Sequence, residues 1–526
     1  MLDAENLLGK VKKNTWYNFS SKIVQVVLAL FLIPFTIRTI GTEKYGIWAL
    51  IQASTVLLAC LDLGINGAYI KFFSENRKER DEIALTFSTG IIYYVGLGTL
   101  ILLAVFFLPL TSLFISFFGI SQFYFKEVEF ALTVSMTFFV FSNIFHVFHC
   151  FLISEGRQDI TSKIVIVASI LNALLTVTAL TLGYDLYGLG AVYAFVQLST
   201  GGMFFFAAVR VWPEFEFSIF KFSSRVFKNM FLFGRNIQIC NIADLITGHT
   251  DRLLAGFFFG VEPAGLYHVA ATLVHRLRET PNLFLSALLP EACRIGSKGV
   301  CSELVNLYRN SSRKLITVIA PLFFFVSGAS PVFVFIWMGK EYGQVALVTA
   351  ILAVGALIGV LSGTGCVIGQ AISKPDIQMK TGLLTASANI ILSLLLGKYV
   401  GFFGISIATL LAFLLGCIYF FVTFHRELSF SPGLIVRVIS LPLVLSLLSG
   451  GTLLPLNLFM LSSGLIPGVS SGVFIFSVEL LLFTGVYFFL LRQGNHLFLG
   501  EREWKKSIFS FFFRSLQKFP SFTKES

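Results

Sequence analysis

Charge is scarce in this chain. Only 13% of its 526 residues are Asp, Glu, Lys or Arg, against about a quarter in soluble domains, which is too little to clothe a water-exposed globule. Cysteine is sparse and badly placed for crosslinking. Cys60, Cys150, Cys240, Cys366 and Cys417 fall in apolar stretches, and Cys293 and Cys301 fall on a basic connection read as cytoplasmic, so disulfides are not expected. No Cys-x-x-Cys spacing occurs, so no metal site is expected. A Gly-Lys-Ser/Thr phosphate loop is also missing, which excludes ATP hydrolysis by this chain. "GTGCVIGQ" at 363–370 follows no strand and reads as close packing of small residues.

Hydrophobic residues instead make up 56% of the chain, with 60 Phe among them. A helix of roughly 20 apolar residues crosses a hydrocarbon core of about 30 Å while satisfying its own backbone. Such spans are expected near 16–37, 46–70, 84–108, 128–153, 161–182, 187–209, 236–259, 264–289, 315–338, 345–370, 379–397, 402–424, 436–455 and 469–491. The fold class is therefore all-α integral membrane, with about fourteen transmembrane helices. The first span is too long for a signal segment and lacks a small-residue cleavage site, so it is expected to be retained.

The formal net charge of +11 orients the protein and does not point to nucleic acid. With the N-terminus in the cytoplasm, only Arg38, Lys44, Lys126, Lys340 and Lys398 of the 39 basic residues fall on outer connections. Lys22, Arg252, Arg276 and Arg278 fall within spans, and the rest lie inside, as the positive-inside rule requires with both termini cytoplasmic. The outer connections are very short, at 183–186 and 260–263, and the longest, near 109–127, is apolar and aromatic. A membrane glycan polymerase or ligase needs a sizeable outer loop carrying Arg, His or carboxylates, so a non-enzymatic role is expected.

"TIRTIGTEKYGIWALIQAS" at 36–54 has a counterpart in "FFFGVEPAGLYHVAAT" at 257–272. Gly41, Glu43, Gly46, Ile47 and Trp48 superpose on Gly260, Glu262, Gly265, Leu266 and Tyr267. Further along, Asp159, Ile160, Lys163 and Asn172 superpose on Asp376, Ile377, Lys380 and Asn389 at almost the same offset. Two matches, one at each end of a six-span unit, indicate duplication. An even number of spans keeps the same polarity in both copies, so their axis runs along the membrane normal. The expected organisation is a six-helix bundle at 1–209, a cytoplasmic interfacial linker at 210–235, a second six-helix bundle at 236–425, and two additional helices with a basic tail at 426–526. Within the joints, glycine permits a tight reversal and the following aromatic sits at headgroup level; Gly41, Glu43, Gly46, Gly260, Glu262 and Gly265 are the joint residues.

Polar groups inside a membrane are costly, so their placement informs. The first span carries Asn18, Lys22 and Gln25; the second Gln52, Thr55, Asp62 and Asn66. The seventh carries Gln238, Asn241, Asp244, Gly248, Asp251 and Arg252; the eighth carries His268, Thr272, His275, Arg276, Glu279, Asn282 and Ser286. Steps of three, four or seven place each set on one helical face. The sixth, twelfth and thirteenth spans are almost bare. Four striped helices are thus expected to face one another across a hydrated cavity between the halves. Structural ion pairing of Asp244, Asp251 and Arg252, or of Arg276 with Glu279, is the competing reading, as is snorkelling of Lys22 and Asp62. His146 and His149 read as packed, and Glu479 as a lone charge outside the repeat.

"LIPFTIRTIGTEKYGIWALIQA" at 32–53, "LDLGINGAYIKFF" at 61–73 and "LLAGFFFGVEPAGLYHVAATLV" at 253–274 give the chain a resemblance to the polysaccharide-exporting (Wzx-type, O-antigen) flippases of the multidrug/oligosaccharidyl-lipid/polysaccharide superfamily. The resemblance covers about residues 10–425. It implies two pseudo-symmetric bundles, MATE-like, that rock about a central cavity and carry an undecaprenyl-diphosphate-linked oligosaccharide across a bacterial inner membrane without a cofactor. It implies membrane lipid, a glycan polymerase and glycosyltransferases as partners. It also implies cationic cavity side chains that meet the diphosphate, here Lys22, Arg252, Arg276 and Arg278, with Asn241 and Gln25 beside them. This sequence departs from a plainly cationic cavity, because Asp62, Asp244, Asp251 and Glu279 balance those four, which makes them candidates for ion coupling. A drug/cation antiporter of the same superfamily is the alternative. Pro34, Pro281, Pro290, Pro321 and Pro331 are candidate bends.

Overall fold

The computed structural model describes residues 2–62, 64–75, 79–212, 222–297, 299, 301–431, 433–453, 457 and 469–498. The basic tail beyond Phe498 lies outside them. Among the described residues every regular element is helical.

The first helix, α1 (Leu2–Leu57), is broken at Gly41, whose φ of 84° no L side chain adopts readily. Its two limbs are the first span and the start of the second. A 3-10 turn (Leu58–Asp62) and α2 (Ile65–Glu75) complete the latter. Next come α3 (Arg80–Phe107) and α4 (Leu110–Phe118), parted by extended Leu108 and by Pro109. The longest expected outer connection is thus largely a helix, with Phe114, Ile115 and Phe118 turned inward. The first half closes with α5 (Phe125–Ser154), α6 (Gln158–Thr181) and α7 (Asp185–Val211).

The second half runs through α8 (Ser224–Phe259), α9 (Val261–Gly296), α10 (Ser302–Trp337), α11 (Gly343–Leu361), α12 (Gly363–Ala371), α13 (Asp376–Val400) and α14 (Phe402–Glu427). Helix α8 is continuous from Ser224, so residues 224–235 of the expected interfacial stretch are its opening turns; 213–221 lie outside the described residues. Helices α15 (Gly433–Gly451) and α16 (Val469–Phe498) follow.

Among the described residues, 10 helical stretches are long and apolar enough to cross a membrane. One of them, Trp16–Asp62, spans both limbs of α1. The polar faces of α8 and α9 keep those two helices out of the tally, although each is 36 residues long. Helix α15 is apolar over the shorter run Val438–Gly451. Counting these as crossings gives about fourteen.

Packing divides the helices as the repeat does. Helix α5 packs on α7 and α3, and α1 on α6; in the second half α13 packs on α14 and α8, and α11 on α14, α10 and α9. The halves meet chiefly where α1 touches α9 and α8, while α15 and α16 pack on α10. The duplication extends to backbone conformation. Left-handed residues recur in pairs at corresponding helix ends: Gly41 with Gly260, Gly119 with Gly339, Gly156 with Ser373, and Gly183 with Gly401. Asp159 and Asp376 likewise both sit in the first turn of their helices, α6 and α13.

Candidate functional site

The two joints meet. A Cβ on Gly265 would lie 2.9 Å from the Cα of Gly46, and one on Gly46 would run into the Val261 carbonyl. Thr42 donates to Glu262 Oε1 at 2.8 Å across the same contact. Around it, the Tyr124 hydroxyl donates to Glu43 Oε2 at 3.0 Å, and Lys44 bridges Asp185 at 2.6 Å and Glu127 at 3.3 Å. The joint residues therefore seal one end of the interface between the halves, beyond serving as hairpin turns.

Deeper between α1 and α9, five of the expected polar side chains converge. Lys22 Nζ pairs with Glu279 Oε2 at 2.9 Å. Arg276 Nη1 donates to Gln25 Oε1 at 3.2 Å and lies 3.6 Å from Glu279 Oε1. His275 Nε2 stands 3.8 Å from the same carboxylate. Lys22 and Gln25 share one face of α1, while 275, 276 and 279 share one face of α9, so helical spacing alone presents both sets. Glu279 is the hub of the cluster, with one basic group from the opposite half and two from its own helix.

A cavity of about 400 Å³ adjoins this cluster. Val26, Leu30 and Ile33 of α1, Thr272 and Thr280 of α9, Phe325 and Phe333 of α10, and Phe476 of α16 line it. Arg276 is the charged residue of that lining, and its Nε is buried without a partner. An unused guanidinium donor beside an apolar chamber is suited to a ligand with an anionic group at one end and hydrocarbon at the other.

The remaining expected residues separate into four further places. Asn241 and Asp244 lie exposed on α8, with Asp244 4.0 Å from Arg278, whose guanidinium lies 4.9 Å over the Phe413 ring. Arg252 is 7% exposed and is held by His268 Nδ1 at 3.0 Å and the Gly248 carbonyl at 3.4 Å, apart from the cluster. His268 meets Tyr45 edge-on, which places this pocket just beneath the joints.

Asp251 also turns away from the interface, into the second half. Thr409 and Tyr267 donate to its Oδ2 at 2.6 and 2.9 Å, and Ser393 to Oδ1 at 3.4 Å. Asn389 in turn donates to Thr409 at 3.1 Å. The twelfth span is therefore not bare of polar contacts, because Thr409 belongs to it. A second carboxylate, Asp62, is buried within the first half: it is 7% exposed and accepts from the Tyr94 hydroxyl and from the Asn66 backbone N–H. His146 Nδ1 meets Asn66 Oδ1 at 2.9 Å and Cys150 Sγ at 3.4 Å, so the packed reading of His146 holds. The polar residues of the four striped helices thus form one inter-half cluster, an Asp244–Arg278 pair, the Arg252–His268 contact beneath the joints and two buried carboxylate pockets inside the halves.

The comparisons agree with this architecture. Residues 11–295 match the family described as "Polysaccharide biosynthesis protein". The chain belongs to that family. Among its relatives, the membrane protein EpsK of Bacillus subtilis (strain 168), itself uncharacterised, is 23% identical over 407 residues, covering 76% of this chain and 79% of EpsK. A candidate O-antigen transporter of Shigella flexneri is 19% identical over 350 residues, covering 63% of this chain and 77% of its own. The lipid II flippase MurJ in its inward closed conformation has the same fold, with a TM-score of 0.68 at 15% identity over 96% of this chain and 99% of MurJ. An inward-facing MATE multidrug transporter of the MOP superfamily matches with a TM-score of 0.64 at 14% identity, over 78% of this chain and 98% of its own. This polysaccharide biosynthesis protein is therefore a multi-pass membrane protein with the helical architecture of flippases and transporters.

Proposed function

We propose that this protein translocates an undecaprenyl-diphosphate-linked oligosaccharide across the bacterial cytoplasmic membrane by alternating access, with residues 1–209 and 236–425 as the moving halves and both termini in the cytoplasm. One observation carries the reading: Arg276 lines the apolar cavity while hydrogen-bonded to Gln25 of the opposite half. A diphosphate and a glycan cannot enter hydrocarbon unaided, whereas a polyprenyl tail prefers it. A site that sets one guanidinium against a greasy chamber serves both parts of such a molecule. With the joints closed on each other, the arrangement represents the state sealed at the expected outer end.

Anionic substrate competes with Glu279 for Arg276 and Lys22. Its arrival weakens the cross-half Lys22–Glu279 pair and frees the halves to move, so substrate charge and bundle motion are linked through one carboxylate. Glycosyltransferases that build the lipid-linked unit and a polymerase that consumes it are the partners this role calls for.

The test is the leaflet in which the lipid-linked glycan resides. Depletion of the protein should strand it in the cytoplasmic leaflet, and an Arg276→Gln variant that inserts normally should fail to restore export. Full complementation by that variant refutes the assignment of Arg276. The Asp251 pocket favours a second reading, a cation-coupled antiporter, because a buried carboxylate held by neutral hydroxyls is the setting a coupling ion requires. Drug resistance conferred on expression, with no glycan defect on deletion, decides for that reading.

A further inference from the structure

Helices α15 and α16 lie outside the duplicated halves, and their packing on α10 buries a carboxyl group that the inter-half cluster does not use. Phe476, Glu479 and Phe483 follow at steps of three and four on one face of α16. Both rings pack on Phe325 of α10, with centroids 5.6 and 5.4 Å away, so the same face drives Glu479 inward. Glu479 is 0% exposed, and neither of its oxygens has a hydrogen-bond partner.

Beside it stands Asn457, 5% exposed. The Asn457 amide nitrogen donates to the Gly328 carbonyl of α10 at 2.8 Å, while its Oδ1 is buried and accepts from nothing. The neighbouring hydroxyls are already committed. Ser330 of α10 and Ser446 and Ser449 of α15 donate to carbonyls of their own helices, and Tyr487 of α16 donates to the Thr317 carbonyl of α10. Among the described residues no Lys, Arg or His pairs with Glu479.

Three acceptor oxygens thus lie buried together, and the one donor near the carboxyl group, the Asn457 amide, is already given to Gly328. An ionised Glu479 would be an unpaired charge, which proteins do not keep in a dry interior. A bound metal ion takes about six or more oxygens when dehydrated, more than this pair offers. A proton resolves the deficit. The neutral acid has one O–H to donate, and Asn457 Oδ1 is the acceptor lacking one.

We infer that Glu479 is a proton-binding site, protonated and donating to Asn457 Oδ1 while the C-terminal helix pair is packed on α10, and deprotonated when that wall opens to water. On opening, the Glu479 O–H bond breaks, the proton passes to water and the carboxylate is left hydrated. The wall in question borders the cavity: Phe476, one turn before Glu479, lines it together with Ala329 and Ser330 of α10. Movement of the helix pair away from α10 therefore carries a proton with it, whatever molecule crosses.

Infrared spectroscopy of the full chain in lipid tests the assignment. The unaltered protein should show the C=O stretch of a neutral carboxylic acid that persists into mildly alkaline buffer, and Glu479→Gln should remove it. Because the folded state holds a proton that the unfolded state releases, the thermal midpoint of the unaltered protein should fall relative to that of Glu479→Gln as pH rises through neutrality. Should the Gln variant fail to fold, Asn457→Leu should shift the same band to higher frequency by removing the acceptor. Absence of the band, its persistence in Glu479→Gln, parallel pH curves or an unshifted band in Asn457→Leu overturns the inference. So does stabilisation of the unaltered protein by sodium that Glu479→Gln abolishes, which would mark a metal cation site.

Discussion

Gly46 of α1 and Gly265 of α9 touch through their backbones, the Cβ that either lacks having no free space to occupy. The contact lies where both repeated motifs converge, so the same pair of glycines brings the two halves into backbone contact.

Filling that contact should prise the joints apart. Gly265→Ala sets a methyl against the Gly46 backbone, and overpacking of this kind costs about 1–3 kcal/mol. Because the strain exists only while the joints are closed, it shifts the population toward the open arrangement as well as lowering thermal stability. A maleimide that cannot cross the membrane, directed at Thr42→Cys, should label the Gly265→Ala background faster than the parent. Equal labelling rates would mean that the joints do not gate access.

Lys22 and Glu279 form a charge pair between the halves, 2.9 Å apart with both side chains partly exposed. Solvent screening holds such a pair to about 0.2–1 kcal/mol, so its removal should leave folding largely intact. Its effect should fall on movement. Lys22→Glu sets two carboxylates face to face, whereas Lys22→Glu combined with Glu279→Lys restores the attraction in reverse. Export should drop in each single variant and recover in the double, a coupling that a double-mutant cycle reads directly. Additive losses in the cycle would show that the two residues act separately.

Asp251 accepts from Tyr267, Ser393 and Thr409, which are all donors. Asp251→Asn replaces one acceptor oxygen with a further donor, so at least one buried donor loses its partner at a cost of about 1–3 kcal/mol. The thermal midpoint should therefore fall, and transport should lose any dependence on an imposed ion gradient. An unchanged midpoint would show that the pocket tolerates a donor there and that the carboxylate is not required for packing.

What the sequence revealed and what it hid have separate physical origins. Gly41 and Gly260 were legible because a left-handed backbone restricts which residue can stand there, and the restriction appears twice. The polar stripes were legible from their spacing, but spacing does not say which neighbour a stripe faces. Asp251 and Arg252 are consecutive, about 100° apart around α8 at 3.6 residues per turn. One enters the second half and the other reaches His268 beneath the joints. Thr409 and Ser393 gave little signal because a hydroxyl in an apolar run can satisfy itself on its own helix, and Thr409 also donates to the Ile405 carbonyl. Glu479 was visible as a lone charge; the vacant acceptor of Asn457 beside it was not.

Gln238 joins the halves by a different device. Its Nε2 donates to the carbonyls of Ala59 and Cys60, at 3.1 and 3.0 Å, in the 3-10 turn that ends the second limb of α1. Carbonyls at a helix end lack intrahelical donors, so one amide from α8 supplies what the turn cannot. Close by, Gly64 has a φ of 76° and lies against the Gly234 carbonyl of α8, which brings the chain within reach. Gln238→Leu preserves the bulk and removes the donor, leaving two carbonyls short at a cost of about 1–3 kcal/mol each where they stay dry. The loss should appear locally, as faster amide hydrogen exchange over residues 58–70 with the joint at 41–46 unaffected. Gln238→Glu should be worse, since it sets a third acceptor against the two. Exchange that rises uniformly along the chain would instead mean that Gln238 supports global stability and is no local clasp between α8 and the turn.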